Sequence, residues 1–186
     1  MELTFRPVTA ELWDDFEKLF GKNGACGGCW CMSWRQSRKE YALFHGEANK
    51  LAMKQIVESG EVPGLLAYDG TEPVAWCSVA PRSTFPRLEA SRWVKLVDKR
   101  PVWSVVCFFV AKKYRKQGMT VALLNASADY VRQQGGEVLE GYPAVPSGEQ
   151  PPAFLWNGIY NAFLKAGFAE VARSAPTRAI VRRILA

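Results

Sequence analysis

The chain has 186 residues, 48% hydrophobic and 23% charged, which suits one folded domain over residues 1–186 and excludes a disordered polymer. A net charge of +6 suits nucleic acid or an anionic small ligand. The basic residues are scattered, however, apart from Lys112, Lys113, Arg115 and Lys116, so a local anion site is expected and a nucleic-acid partner is not.

No apolar run approaches the roughly 18–20 residues needed to cross a bilayer, so no membrane partner is expected. Met1–Arg6 lacks a basic stretch followed by an apolar one, which points to the cytoplasm. The five cysteines (Cys26, Cys29, Cys31, Cys77 and Cys107) are odd in number, which argues against a disulfide framework.

In chain order, Glu2–Val8 reads as a short strand. Thr9 is placed to cap a helix with the apolar face Leu12, Trp13, Phe16, Leu19 and Phe20, ended by Gly21. A Gly- and Cys-rich segment follows over Gly24–Trp34. Ser37 and Glu40 form a capping box for a second helical region with Tyr41, Phe44, Ala48, Leu51, Ala52 and Ile56 as its apolar positions. Gly46 is placed to break this region, and Gly60 ends it. Leu65–Tyr68 and Val74–Val79 flank the hairpin signal Asp69-Gly70. Pro81–Arg100 is irregular and basic-aromatic. Val102–Val110 is almost wholly apolar, as a central strand buried on both faces should be.

Gly118–Gln134 reads as a helix closed by Gly135-Gly136, and Glu137–Tyr142 as the next strand. After a loop over Pro143–Pro152, a helix is expected from about Phe154 to Ala166, closed by Gly167. Phe168–Arg173 and Arg178–Leu185 complete the chain as a hairpin. This order predicts an α/β fold: a mixed sheet of about seven strands with helices on both faces.

The segment with the clearest chemical signal is Arg115-Lys116-Gln117-Gly118-Met119-Thr120, which follows the buried strand and opens a helix. A helix start presents unpaired N–H groups and the positive end of the helix dipole, which suits a pyrophosphate. Gly118 lets backbone approach such a group closely. A single glycine separates this turn from P-loop and dinucleotide fingerprints.

With Val110, Tyr114-Arg115, Gln117-Gly118 and Leu123-Leu124 around it, the turn resembles the Gln/Arg-x-x-Gly-x-Gly/Ala motif of the GNAT acyltransferases, with Thr120 where that family usually has Gly or Ala. A second resemblance is Phe163-Leu164-Lys165-Ala166-Gly167-Phe168, similar to the aromatic-x-x-x-Gly-Phe ending of a late helix in that family. Together with the element order, the likeness spans nearly the whole chain. It implies a GNAT-like fold with splayed central parallel strands, and acetyl-CoA as co-substrate without a metal. The implied reaction is direct attack of a primary amine on the CoA thioester in a ternary complex. Arg115 through Thr120 would hold the pyrophosphate. Backbone groups of Phe108 and Val110 would hold the pantetheine arm as an added strand.

Phe163 stands where many family members carry a proton-donating tyrosine near the cofactor. Tyr160, one helical turn earlier, and Tyr142 are the candidate replacements, and Glu140 is the candidate base, on the same strand face as Tyr142. The only histidine, His45, argues against a Cys-His nucleophile.

Cys26-Gly27-Gly28-Cys29-Trp30-Cys31 offers half of a zinc ligand set, with no second pair at a fitting distance, so packing is the expectation. By resemblance the same segment lines the acceptor site, with Trp30, Met32 and Trp34 as an apolar wall for a small-molecule or peptide amine. A homodimer is compatible with this reading. The alternatives are a CoA-binding regulatory module that has lost catalysis and, further off, a basic metal- or nucleic-acid-binding protein.

Overall fold

The computed structural model describes residues 2–145 and 156–185. Seven strands form one mixed sheet in the order β1-β2-β3-β4-β5-β7-β6. In chain order these are β1 (Leu3–Pro7), β2 (Gly64–Asp69), β3 (Glu72–Pro81), β4 (Trp103–Val110), β5 (Val138–Gly141), β6 (Ala169–Ala175) and β7 (Arg178–Ile184). The helices are α1 (Trp13–Phe20), α2 (Arg38–Leu43), α3 (Glu47–Glu58), α4 (Pro86–Glu89), α5 (Met119–Gln133) and α6 (Tyr160–Lys165). Helices α5 and α6 cover one face, with Leu123, Leu124, Val131 and Phe163 packed on Val105, Phe108 and Leu139. Helices α1 and α3 cover the other, with Phe16, Phe20, Met53 and Val57 packed on Leu66 and Trp76. Among the described residues, no helix is long and apolar enough to cross a membrane.

Most local signals hold, and the exceptions have physical causes. The capping box forms: Ser37 Oγ accepts from the Glu40 N–H at 3.2 Å, and Glu40 Oε2 accepts from the Ser37 N–H at 2.8 Å. Gly46, at φ 58°, divides α2 from α3. Thr9 makes no side-chain cap; a 3-10 turn over Ala10–Leu12 intervenes and α1 starts at Trp13.

Helix α3 buries Asn49, Met53 and Val57 and leaves Leu51 exposed, a face rotated from the one the apolar pattern suggests. The rotation follows from Asn49, which donates to the Gly28 carbonyl at 3.0 Å and accepts from Gln36 Nε2 at 3.0 Å. The helix expected from Phe154 begins at Tyr160. Phe154 lies outside the described residues. Residues 156–159 are not helical, because Gly158 takes φ 81° and Ile159 bridges to Ala144.

The central feature of the sheet is its one parallel pair. Strands β4 and β5 match only at Trp103–Leu139, Ser104–Glu140 and Val105–Gly141, and then part. On its other side β4 carries a bulge: Val105 faces Val79 and Cys107 faces Ser78, leaving Val106 as an extra residue. As a result Val106 and Cys107 both face away from α5, whereas Val105 and Phe108 face toward it.

Gly141 ends the paired stretch, pressed against the Phe163 ring. A Cβ there would lie 2.1 Å from Phe163 Cε1. Gly141→Ala is therefore expected to destabilise the fold by about 1–3 kcal/mol through overpacking, read from the urea midpoint at unchanged m-value.

Candidate functional site

Where β4 and β5 part, a cavity of about 580 Å³ opens on the β4 side. Its floor is Cys107, Phe108, Phe109 and Val110. Arg115 and Thr120 border it on the side of the basic turn, and Trp34, Tyr41, Arg87 and Trp156 form an aromatic and cationic wall.

The basic turn is built as the sequence predicts. A 3-10 turn over Lys112–Tyr114 leads from β4 to Arg115, and Gly118 caps α5 at φ 79°, ψ 3°, a left-handed conformation that favours glycine. A Cβ on Gly118 would meet nothing within 4 Å, so the space before the turn is open. The first helical bond of α5 runs from the Ala122 N–H to the Gly118 carbonyl at 3.1 Å, which leaves the N–H groups of Met119, Thr120 and Val121 without helical partners. Arg115, Lys116, Gln117 and Gly118 are exposed. The Met119 side chain is buried in the core, so this residue can offer only its backbone N–H. The Arg115 Nε donates to the Val110 carbonyl at 2.9 Å, which ties the turn to the strand end.

The β4 backbone is only partly free. The Phe108 N–H donates to the Trp156 carbonyl at 2.7 Å, so the chain's own segment occupies one of the groups expected to serve a ligand. Phe163, expected beside the cofactor, is fully buried; its ring stands 6.0 Å from Phe108 and 5.1 Å from Phe168. It acts as a wedge in the core, because Gly141 and Gly158 leave space for the ring on both sides.

The structure brings Glu140 and Tyr142 together, behind the parting rather than along the cavity wall. Glu140 is fully buried: Oε1 accepts from Arg82 Nη1 at 3.0 Å and from Tyr142 Oη at 2.6 Å, and Oε2 accepts from Arg182 Nε at 2.6 Å. Ser104 Oγ lies 2.8 Å from Tyr142 Oη, and Asp98 accepts from Arg182 Nη1 at 2.7 Å. Burial, with the charge of Glu140 beside it, pushes the Tyr142 hydroxyl well above its ordinary range. Tyr160 stands apart, at the first turn of α6, half-buried against Arg173. Its hydroxyl is also held above its usual range, chiefly by a hydrogen bond to Glu170.

Of the three wall residues expected in the Gly- and Cys-rich segment, only Trp34 lines the cavity. Trp30 and Met32 are buried in the core, and Trp30 stacks on Phe20 at 5.6 Å. The glycines allow this inward turn. Gly24, Gly27 and Gly28 all take positive φ, as do Ala25, Trp30 and Cys31, and a Cβ on Gly24 would lie 2.4 Å from Trp30 Nε1. The segment instead lines the cavity with thiols, Cys26, Cys29 and Cys31, facing Cys107 of β4. Among the described residues, no group of three or more His, Cys, Asp and Glu side chains is arranged to hold a metal ion.

Cys31 Sγ accepts from the Trp76 indole N–H at 3.2 Å. Burial pushes the Cys31 thiol up, but the neighbouring Cys107 thiol, the Trp76 hydrogen bond and the charge of Arg35 outweigh it and leave Cys31 below the ordinary thiol range. The neighbouring Cys31 sulfur, together with burial, holds Cys107 well above that range, and the Cys107 thiol donates to the Phe108 carbonyl at 3.9 Å.

Arg87, Tyr41, Cys107 and Trp156 are cavity residues that sequence reasoning did not single out. For Arg87 the available signal was the basic-aromatic character of Pro81–Arg100. Its place beside Trp34 depends on α4 packing against residues some fifty positions earlier, through the Arg87 Nη1 bond to the Ser33 carbonyl at 2.9 Å.

Two outcomes follow from this geometry. Glu140→Ala leaves Arg82 and Arg182 buried without their shared carboxylate, so a loss of about 3–5 kcal/mol in unfolding free energy is expected by denaturant titration. Thiol labelling of the native protein at pH 8 should modify the exposed Cys26 and spare Cys77 until the chain is unfolded, because burial pushes the Cys77 thiol up to about 12. Mass mapping of labelled peptides reads both.

The fold has many solved counterparts of low sequence identity. The PaiA N-acetyltransferase from Thermoplasma acidophilum, solved with coenzyme A, superposes at TM-score 0.55 with 10% identity over 99% of each chain. A GNAT acetyltransferase from Streptococcus pneumoniae superposes at 0.56 with 13% identity over 100% of both chains. The ribosomal-protein-S5-alanine acetyltransferase from Vibrio fischeri superposes at 0.55 with 12% identity, covering 99% of this chain and 93% of its own. No curated protein sequence aligns significantly with the chain. The sequence model of the acetyltransferase (GNAT) family matches residues 12–145, well over half of the chain. The chain belongs to the GNAT acetyltransferase family.

Proposed function

We propose that the protein is an acetyl-CoA-dependent N-acetyltransferase that moves the acetyl group from the CoA thioester to a primary amine by direct attack. The observation that carries this reading is the joining of two features in one cavity. The turn that starts α5, through Arg115 and Thr120, and the β4 edge beyond its pairing with β5, through Cys107–Val110, both line it. The pyrophosphate is assigned to the N–H groups of Met119, Thr120 and Val121, with Arg115, Lys116 and Gln117 around it. The pantetheine arm is assigned to the β4 edge at Phe108–Val110, where it takes the place of the Trp156 carbonyl.

The amine must lose a proton before it attacks, and the thiolate gains one as it leaves. The charged residues on the cavity wall are Arg87 and Arg115, and the described lining holds no carboxylate. Positive charge nearby disfavours the ammonium form, so the cavity itself promotes a neutral amine. Tyr160, held against Arg173 and Glu170, stands outside this lining, and Tyr41 is the tyrosine on the described cavity wall. Glu140 and Tyr142 are assigned to positioning the strands, since both carboxylate oxygens are already bonded. The five cysteines are free, in keeping with a reducing cytoplasm.

Acetyl-CoA at about 100 times its Kd should stabilise the protein by about 2.7 kcal/mol, seen as a rise in Tm, and thiol release should follow on adding amines. Gly118→Val forces a β-branched residue into left-handed backbone, so the Tm rise should vanish while the apo Tm falls only modestly. An unchanged ligand shift in that variant would overturn the assignment of the turn. Binding without thiol release, across amines of every class, would mark a regulatory CoA-binding module instead.

A further inference from the structure

Arg87 holds an unusual place on the cavity wall. Its guanidinium carbon lies 5.7 Å from the ring centre of Trp34 and 5.7 Å from that of Tyr41. Nη1 donates to the Ser33 carbonyl at 2.9 Å and to Ser33 Oγ at 3.3 Å, which aims the plane of the group. Nε and Nη2 have no hydrogen-bond partner among the described residues, and no carboxylate lies within salt-bridge distance there.

The contrast with Arg82, only five positions earlier, is direct: Arg82 is saturated by Glu140, Glu89, Tyr142 and the Val94 carbonyl. A half-buried cation costs desolvation, and that cost draws Arg87 below the ordinary arginine range. The indole N–H of Trp34 is also buried and without a partner among the described residues. Trp156 closes the wall with its ring 5.9 Å from that of Trp34.

We infer that Arg87 is the carboxylate-binding residue of the acceptor site, and that the acceptor is an amine which also carries a carboxylate on an apolar or aromatic body, an amino-acid-type substrate. This assignment rests on the N-acetyltransferase reading and names the substrate class for the same cavity. An arginine tied to Ser33 and set beside two rings is preorganised, and its Nε and Nη2 donors match the two oxygens of a carboxylate. The rings of Trp34, Tyr41 and Trp156 supply the surface for the apolar body. A plain cationic amine would face Arg87 with no carboxylate from the described lining to offset it. An acceptor with its own carboxylate meets the charge of the wall and brings its amine into the space beside β4.

The test uses paired acceptors that differ in the carboxylate alone: phenylalanine against phenylalaninamide and phenethylamine, and leucine against leucinamide. Thiol release from acetyl-CoA is followed with the full-length protein, and CoA binding is measured separately by calorimetry. The carboxylate member of each pair should be acetylated at least about tenfold more efficiently in kcat/KM. Arg87→Met, which keeps the packed stem, should erase that preference and lower kcat/KM for the carboxylate member by roughly 30-fold, while CoA affinity stays within about twofold. Arg87→Lys should restore part of the preference, since the charge returns without the fork.

Equal use of amides and acids by the native protein, a preference that survives in Arg87→Met, or turnover of none of the pairs while CoA binds would each overturn the inference and leave the cofactor reading standing. Loss of CoA binding in the native protein would instead overturn the acetyltransferase reading, and the inference with it.

Discussion

The cavity of this chain lies beside two parallel strands that hydrogen-bond for three residue pairs and then separate. β5 ends at Gly141, and beyond it the Phe108 N–H of β4 is satisfied by the Trp156 carbonyl in place of a partner on β5. Here the parting is stabilised from both sides. The Phe163 ring is wedged against Gly141 and Gly158 at positions where no side chain fits. Behind the parting, Glu140 ties β5 to β7 through Arg182 and to the segment after β3 through Arg82. The bulge at Val106 turns the β4 side chains so that Cys107 and Phe109 face the cavity side while Phe108 packs toward α5.

The buried charge cluster is a positioning device with a large desolvation cost. Its members are mutually satisfied except for Arg182 Nη2, which is buried without a partner among the described residues. Two arginines around one carboxylate, with Asp98 as the outer counter-charge, are stable only as a unit, and such units specify geometry more than they add net stability. That explains how Glu140, a promising base by position and residue type, belongs to the frame of the site. The cavity in front of it is lined by thiols, aromatic rings and two arginines.

The Gly- and Cys-rich segment shows how one stretch of sequence can serve packing and site together. Its glycines permit a run of left-handed residues that turns Trp30 and Met32 inward and leaves cysteine sulfur on the cavity wall. The family resemblance, with the aromatic content of the segment, suggested tryptophan as the wall. The rings of Trp13, Phe16 and Phe20 claimed Trp30 for the core because burying that aromatic surface outweighs leaving it at a cavity edge. Trp34, three residues beyond Cys31, stayed on the wall beside Arg87.

By itself the sequence determined the capping box at Ser37, the break at Gly46, the helix start at Gly118 and, apart from the short α4, the order of strands and helices. Each of these depends on backbone and side-chain preferences over a few adjacent residues. It also determined family membership, because the turn motif is local. Only the tertiary structure decided which face of α3 is buried, where α6 begins, and that Phe163 is a wedge. The partners of Glu140 and Tyr142 and the exposure of Arg87 to the cavity belong to the same group. Those outcomes depend on contacts across many residues, such as Arg82 with Glu140, Arg87 with Ser33 and Cys31 with Trp76. A buried polar side chain is placed by whichever distant partner satisfies it, and nothing in its immediate neighbours names that partner.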